Sequence, residues 1–129
     1  MELVAAVASL ALIEYMILTF LCGQARGRLG VPAPAITGNA EFERYMRVQQ
    51  NTIEQLVIFL PSIFLFAYFV HAPVAAGLGL VFVLGRALYA RGYYVDPARR
   101  GPGFGLTLLS NAVLLLGALL GAAVAYVRS

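Results

Sequence analysis

Lysine is absent from this chain of 129 residues; all nine basic side chains are arginine. Tryptophan is absent too, cysteine and histidine occur once each, and only 12% of residues are charged. Each shortage excludes something. A single cysteine, Cys22, rules out an intrachain disulfide and leaves the redox compartment open. The lone histidine, His71, has no second ligand at metal-binding spacing. No phosphate loop, zinc pattern or hydrolase triad is present. Neither a repeat, a low-complexity tract nor a second domain is visible. The scarcity of charge is the most telling. Soluble domains carry about 25% charged residues, whereas this chain is 61% hydrophobic with a mean hydropathy of +0.84. So short a chain could not hide that much apolar surface from water. The bilayer must be its solvent, and a single all-α transmembrane domain over residues 1–129 is the expectation.

What is present is four apolar stretches, predicted to span at about 3–22, 48–70, 72–90 and 104–127. The first, Leu3 to about Cys22, has the roughly 20 residues a helix needs to cross about 30 Å of hydrocarbon. It does not read as a signal peptide, because it has no basic leader and carries Glu14. Gly23 to Ala40, with its glycines and prolines, reads as a loop. The second helix is expected to start near Glu41, ahead of the membrane, and Pro61 should kink it. His71-Ala72-Pro73 is a tight turn. The uncharged part of the third span, Ala72 to Gly85, is only 14 residues, so Arg86 and Tyr89 must lie in or near the hydrocarbon. Arg91 to Gly103 is the second charged connection.

The net charge of +3 is no nucleic-acid stripe. Eight of the nine arginines lie in or beside the two charged connections, and only Arg128 is elsewhere. The positive-inside rule places both connections in the cytoplasm. Both termini and the His71 turn then face the other side. The Arg-only, Ala-rich composition fits a GC-rich bacterium and, on that reading, its inner membrane.

Chemistry gathers on two helix faces. Arg44, Arg47, Asn51 and Glu54 are spaced three, four and three apart and share one face of the second helix. Polar groups at that depth face protein or a water-filled cavity. They are either a structural ladder tying helices together or a site for a zwitterionic ligand. Arginine suits carboxylates, Glu an ammonium, and Asn and Gln amides. Arg86, Tyr89 and Tyr93 share a face of the third helix. Tyr93 and Tyr94 also fit an aromatic belt, and Arg99-Arg100 fits a topology signal. Glu14, inside the first span, needs an interhelical partner or a proton; the sequence names no partner. Cys22 reads as a packing residue.

The segment Glu43 to Glu54, Glu-Arg-x-x-Arg-x-x-x-Asn-x-x-Glu, resembles the signature of the membrane-associated proteins in eicosanoid and glutathione metabolism, the MAPEG superfamily. Gly23 to Arg28, Gly38 to Arg44, Gly85 to Tyr89 with Gly92-Tyr93, and Asp96-Pro97 with Arg99-Arg100 are similar to further parts of that family. The likeness covers most of the chain. It implies a four-helix bundle assembled as a homotrimer, with glutathione as co-substrate bound between neighbouring subunits near the cytoplasmic face. Carried over by position, Arg26, Arg47, Gln49, Asn51 and Glu54 would contact glutathione. Arg86, Tyr89 and Tyr93 would complete the site from the adjacent subunit. Arg100 would stabilise the thiolate, or Arg99 if one residue is gapped. Gly27 and Gln55 stand where leukotriene C synthase has Arg and Tyr, which argues against that specialised activity.

The resemblance thus implies a detoxifying transferase or peroxidase that activates the glutathione thiol against lipophilic electrophiles arriving from the bilayer between helices one and four. A non-catalytic glutathione- or lipid-binding scaffold is the alternative. A transporter would need discontinuous spans and a polar midplane, whereas here only Glu14 departs from the one polar end.

Overall fold

The computed structural model describes residues 1–129 as four long helices with no strand. They are α1 (Glu2–Leu29), α2 (Ala40–Phe69), α3 (Ala72–Val95) and α4 (Gly101–Arg128), with a 3-10 turn at Pro97–Arg100 before α4. All four are long and apolar enough to cross a membrane.

The helices run further into the charged connections than the sequence reading allows. The stretch Gly23 to Ala40 is not all loop: α1 continues to Leu29. Gly23 and Gly27 each cost about 1 kcal/mol relative to alanine in a helix. Good helix formers at Gln24, Ala25 and Arg26 offset this, and Ala25 is buried with Val31 and Phe42. The helix stops at Gly30, whose φ of 69° is left-handed and whose N–H closes on the Arg26 carbonyl. A side chain at such a φ would be strained, so the stop is written by glycine.

Asn39 starts α2, its side chain accepting from the Phe42 N–H at 3.0 Å. Glu41 and Glu43 sit in the first turn, where they complement the helix dipole. The helix is continuous through Pro61. His71 caps α3, its Nδ1 accepting from the Val74 N–H at 3.4 Å. The second connection also shortens: α3 reaches Val95, Asp96 caps the 3-10 turn through the Ala98 N–H at 3.0 Å, and α4 begins at Gly101.

α2 and α3 occupy the middle of the bundle and each packs on the three other helices, while α1 and α4 lie on opposite flanks. Only 30 of 129 residues are buried, so the large apolar side chains mostly point outward. Met16, Phe20, Val57, Tyr68, Leu119 and Leu120 are all exposed. Such a surface is tolerated in hydrocarbon and not in water. Inside, the main apolar core fills the end holding the termini and His71, with Phe59 stacked on Phe82 at 4.0 Å between ring centroids.

Near the opposite end α3 and α4 nearly touch. Gly103 lies against the backbone of Tyr89, and a Cβ there would collide with it. Gly85 likewise faces Thr107 and Gly103. This small-residue contact draws α4 in, and places the Thr107 hydroxyl beside Arg86.

Candidate functional site

α2 carries Arg47, Gln50, Asn51 and Glu54 along one face. α3 adds Tyr89 and Tyr93, one turn apart, and the 3-10 turn adds Arg100. Together these seven residues line a cleft of about 320 Å³, within the size range of small-ligand sites. It opens at the polar end of the bundle. Five of its seven residues carry a charge or an amide. The chain contains two ion pairs, Met1–Glu2 and Arg28–Glu41, so Arg47, Glu54 and Arg100 bring unpaired charges to the cleft. Arg100 is held by one hydrogen bond, from its Nη1 to the Pro97 carbonyl at 2.7 Å within its own turn.

Behind the cleft lies a buried polar knot. Arg86 is fully buried. Its Nε donates to Thr107 Oγ1 at 2.9 Å, and its Nη1 donates to Asn51 Oδ1 at 2.7 Å and Thr52 Oγ1 at 3.3 Å. Both hydroxyls donate their own proton one turn back, Thr52 to the Val48 carbonyl and Thr107 to the Gly103 carbonyl. Their lone pairs are therefore left for the guanidinium, and the bonds polarise one another. The guanidinium also stacks 4.2 Å from the Tyr89 ring centroid.

The knot orients the cleft. A guanidinium has donors and no acceptor, so Asn51 must turn its oxygen to Arg86. The Asn51 NH₂ is then the group left for the cleft, a donor aimed at whatever enters.

The sequence-predicted residues fall into two groups. Arg47, Asn51, Glu54, Tyr89, Tyr93 and Arg100 come together in the cleft. They do so within one chain. Arg100 lines this cleft, whereas Arg99 lines a separate groove with Leu88, Arg91 and Pro102. The other three lie outside. Arg86 is behind Asn51. Gln49 points to α1 and donates to Thr19 Oγ1 at 3.2 Å. Arg26 donates to the Val31 and Ala35 carbonyls at 3.3 and 2.7 Å and stacks over Phe42, pinning the first connection.

Arg44, on the same helical face as Arg47, does something else. Its guanidinium donates to the Tyr94 and Val95 carbonyls at 3.2 and 3.0 Å, capping the end of α3. Tyr94 itself stacks on Tyr45 at 4.2 Å, so it packs between helices. Gln50 was missed, although its position three residues after Arg47 and four before Glu54 puts it on the face already singled out. Thr107 and Asn111 were missed as well. Asn111 donates to the Gln55 side chain at 3.1 Å. A buried hydroxyl and amide in an apolar span were a legible signal of helix contact.

The molecule is thus an integral multi-pass membrane protein with a charged cleft at one end of its bundle. The chain belongs to the MAPEG family, whose pattern it matches over residues 4–120. It is 49% identical to an uncharacterised protein of Synechocystis over 116 residues, 90% of this chain and 85% of the relative. It is 40% identical to human microsomal glutathione S-transferase 2 over 118 residues, 91% and 80% of the two chains. Bovine leukotriene C4 synthase is 36% identical over 93 residues, 70% of this chain and 62% of that enzyme.

Proposed function

We propose that this protein is a glutathione-dependent membrane transferase that presents glutathione as its thiolate to lipophilic electrophiles. The observation that carries the reading is the cleft's set of unpaired groups, Arg47, Glu54 and Arg100 around the Asn51 NH₂, in a chain whose relatives include glutathione transferases. Glutathione has two carboxylates, one ammonium and two amides, and these groups answer them. Arg47 binds a carboxylate, Glu54 the ammonium, and the Asn51 NH₂ a carbonyl or carboxylate oxygen. Gln50 adds an amide that can donate and accept.

Arg100 faces the thiol. A free thiol has a pKa of about 8.5, so it is mostly protonated at neutral pH. A guanidinium alongside favours the thiolate, which is the nucleophile. Lowering that pKa by two units corresponds to about 2.7 kcal/mol. The thiol proton leaves to solvent. The sulfur lone pair then forms a bond to an electrophilic carbon, whose displaced electron pair departs on a leaving group or settles on an electron-withdrawing one. Attack on a hydroperoxide oxygen is the same step with an O–O bond broken. The electrophile is apolar and arrives from the lipid.

Assembly enters at one point. Within one chain α1 and α4 are on opposite flanks, so an entry path between helices one and four requires α1 of another copy, as in a homotrimer. Arg26 and Gln49, which lie outside this chain's cleft, reach glutathione only from such a neighbour.

The test is ultraviolet thiolate absorbance on adding glutathione to the detergent-solubilised protein, wild type and Arg100→Ala. The expected result is a thiolate band in wild type that is lost in the variant, with turnover of a generic electrophile at pH 7 falling about 25-fold, the drop in thiolate fraction when a pKa two units below 8.5 returns to it. Glutathione binding without a thiolate band in wild type would instead mark a non-catalytic scaffold.

A further inference from the structure

Glu14 is half-buried in the middle of α1, and its Oε1 is a buried oxygen with no protein partner. Arg86 is fully buried, and its Nη2 is the one nitrogen of its guanidinium with no protein partner. Charged groups inside a membrane are costly and are kept where they pair or function. A carboxyl oxygen and a guanidinium nitrogen, both orphaned on packed helices, call for a joint explanation.

The register of α1 on α3 places them together. The helices run parallel, with Val7 packed against Gly79 and Leu18 in one cluster with Tyr89 and Ala90. Counting seven residues on from Val7 and Gly79 reaches Glu14 and Arg86, and four more reaches Leu18 and Ala90. Glu14 and Arg86 thus stand level across the α1–α3 contact, beyond the 4.0 Å of a direct ion pair. Contact between them therefore needs a rotamer change of either long side chain or one intervening water.

We infer that Glu14 is a positioning residue for the cleft: its carboxyl group holds the free Nη2 of Arg86 from α1 and thereby fixes the Asn51 amide from behind. The three other helices then all grip one guanidinium: α1 through Glu14, α2 through Asn51 and Thr52, and α4 through Thr107. Every donor group of Arg86 is occupied, which removes the penalty of a buried unpaired N–H. Asn51 cannot swing its oxygen into the cleft while Arg86 is held. The chain Glu14–Arg86–Asn51 therefore carries the effect of a residue in the first span to the ligand's edge. Only its last link, to glutathione, rests on the function proposed above.

The experiment uses full-length protein labelled with ¹⁵N-arginine in detergent micelles, with the Arg86 signal assigned by its loss in Arg86→Lys. The expected result is that Glu14→Leu shifts or broadens the Arg86 guanidinium resonance and leaves that of Arg128, at the far end of α4, unchanged. Glu14→Gln, which keeps an acceptor, gives an intermediate shift. An Arg86 resonance unmoved by both variants would overturn the inference, and this readout needs no glutathione. The second arm is glutathione affinity by calorimetry. Glu14→Leu is expected to raise Kd roughly tenfold, a coupling of ordinary size for residues in one polar network, with Glu14→Gln restoring most of it. Glu14→Leu is expected to have no further effect in an Arg86→Lys background. A guanidinium shift with unchanged Kd would leave the pairing standing and sink the link to the cleft. Absence of glutathione binding in wild type would reject the proposed ligand and leave the pairing to the resonance alone.

Discussion

The knot around Arg86 and the cleft around Arg47 and Arg100 share Asn51 and Tyr89 and both centre on arginine, with opposite results. Arg86 is wholly buried and makes three side-chain hydrogen bonds within its own chain. Arg47 is exposed and unpaired, and Arg100 is exposed with a single bond to its own turn. In the knot Nε and Nη1 are spent on the fold, so the group orients its neighbours. In the cleft the donors are unspent, so they are available to a ligand. Arg44 shows how narrow the boundary is. One turn from Arg47 on the same helix, it is consumed by the last carbonyls of α3.

The largest expected effect comes from breaking the knot. Arg86→Leu removes three interhelical hydrogen bonds, and at about 0.6 kcal/mol each in a membrane bundle the loss is about 2 kcal/mol. Unfolding by detergent titration should show that destabilisation, and calorimetry should show glutathione binding lost with it, because Asn51 is no longer held. Wild-type stability in this variant would mean the knot does not hold the helices.

The cleft should behave in the opposite way. Arg47→Ala is expected to weaken glutathione by roughly tenfold to a hundredfold, the worth of a charge-assisted hydrogen bond at about 1.5–3 kcal/mol. Stability should stay as in wild type. Arg47→Lys should recover part of the affinity, since it keeps the charge but not the paired donors. A loss of stability on a par with Arg86→Leu would erase the distinction between the two regions.

Arg44→Ala sharpens the comparison from the other side. Losing its two bonds at the end of α3 should cost about 1 kcal/mol of stability, the scale of a helix cap, and leave Kd for glutathione within twofold. The smallest effect is expected for Gln49→Ala measured as a monomer in detergent. Its one bond, to the exposed Thr19, should be worth under about 0.5 kcal/mol. A tenfold loss of glutathione affinity in the monomer would put Gln49 in the cleft after all.

Much of this was legible in the order of residues. Four spans follow from apolar run length, and the polar end follows from where the arginines are. The face Arg47–Asn51–Glu54 follows from helical spacing alone, because residues three and four apart must stack. Gln50 obeys the same rule and was recoverable. The helix ends were less legible. Gly23 to Leu29 looks like loop by composition, and the helix formers at Gln24, Ala25 and Arg26 together with the burial of Ala25 with Val31 and Phe42 favour helix.

The sequence by itself determined that the chain is a four-span membrane bundle and that its charged side chains gather at one end, since both depend on run length and charge placement along the chain; the MAPEG family follows from its likeness to relatives. What each arginine does was decided by tertiary structure alone. Arg44, Arg47, Arg86 and Arg100 are chemically identical, and they differ only in which carbonyls, hydroxyls and amides the neighbouring helices bring within 3 Å or so of their donors. That depends on the close α3–α4 approach at Gly103 and on the α1–α3 register that sets Glu14 level with Arg86, distances across the bundle that no local pattern encodes.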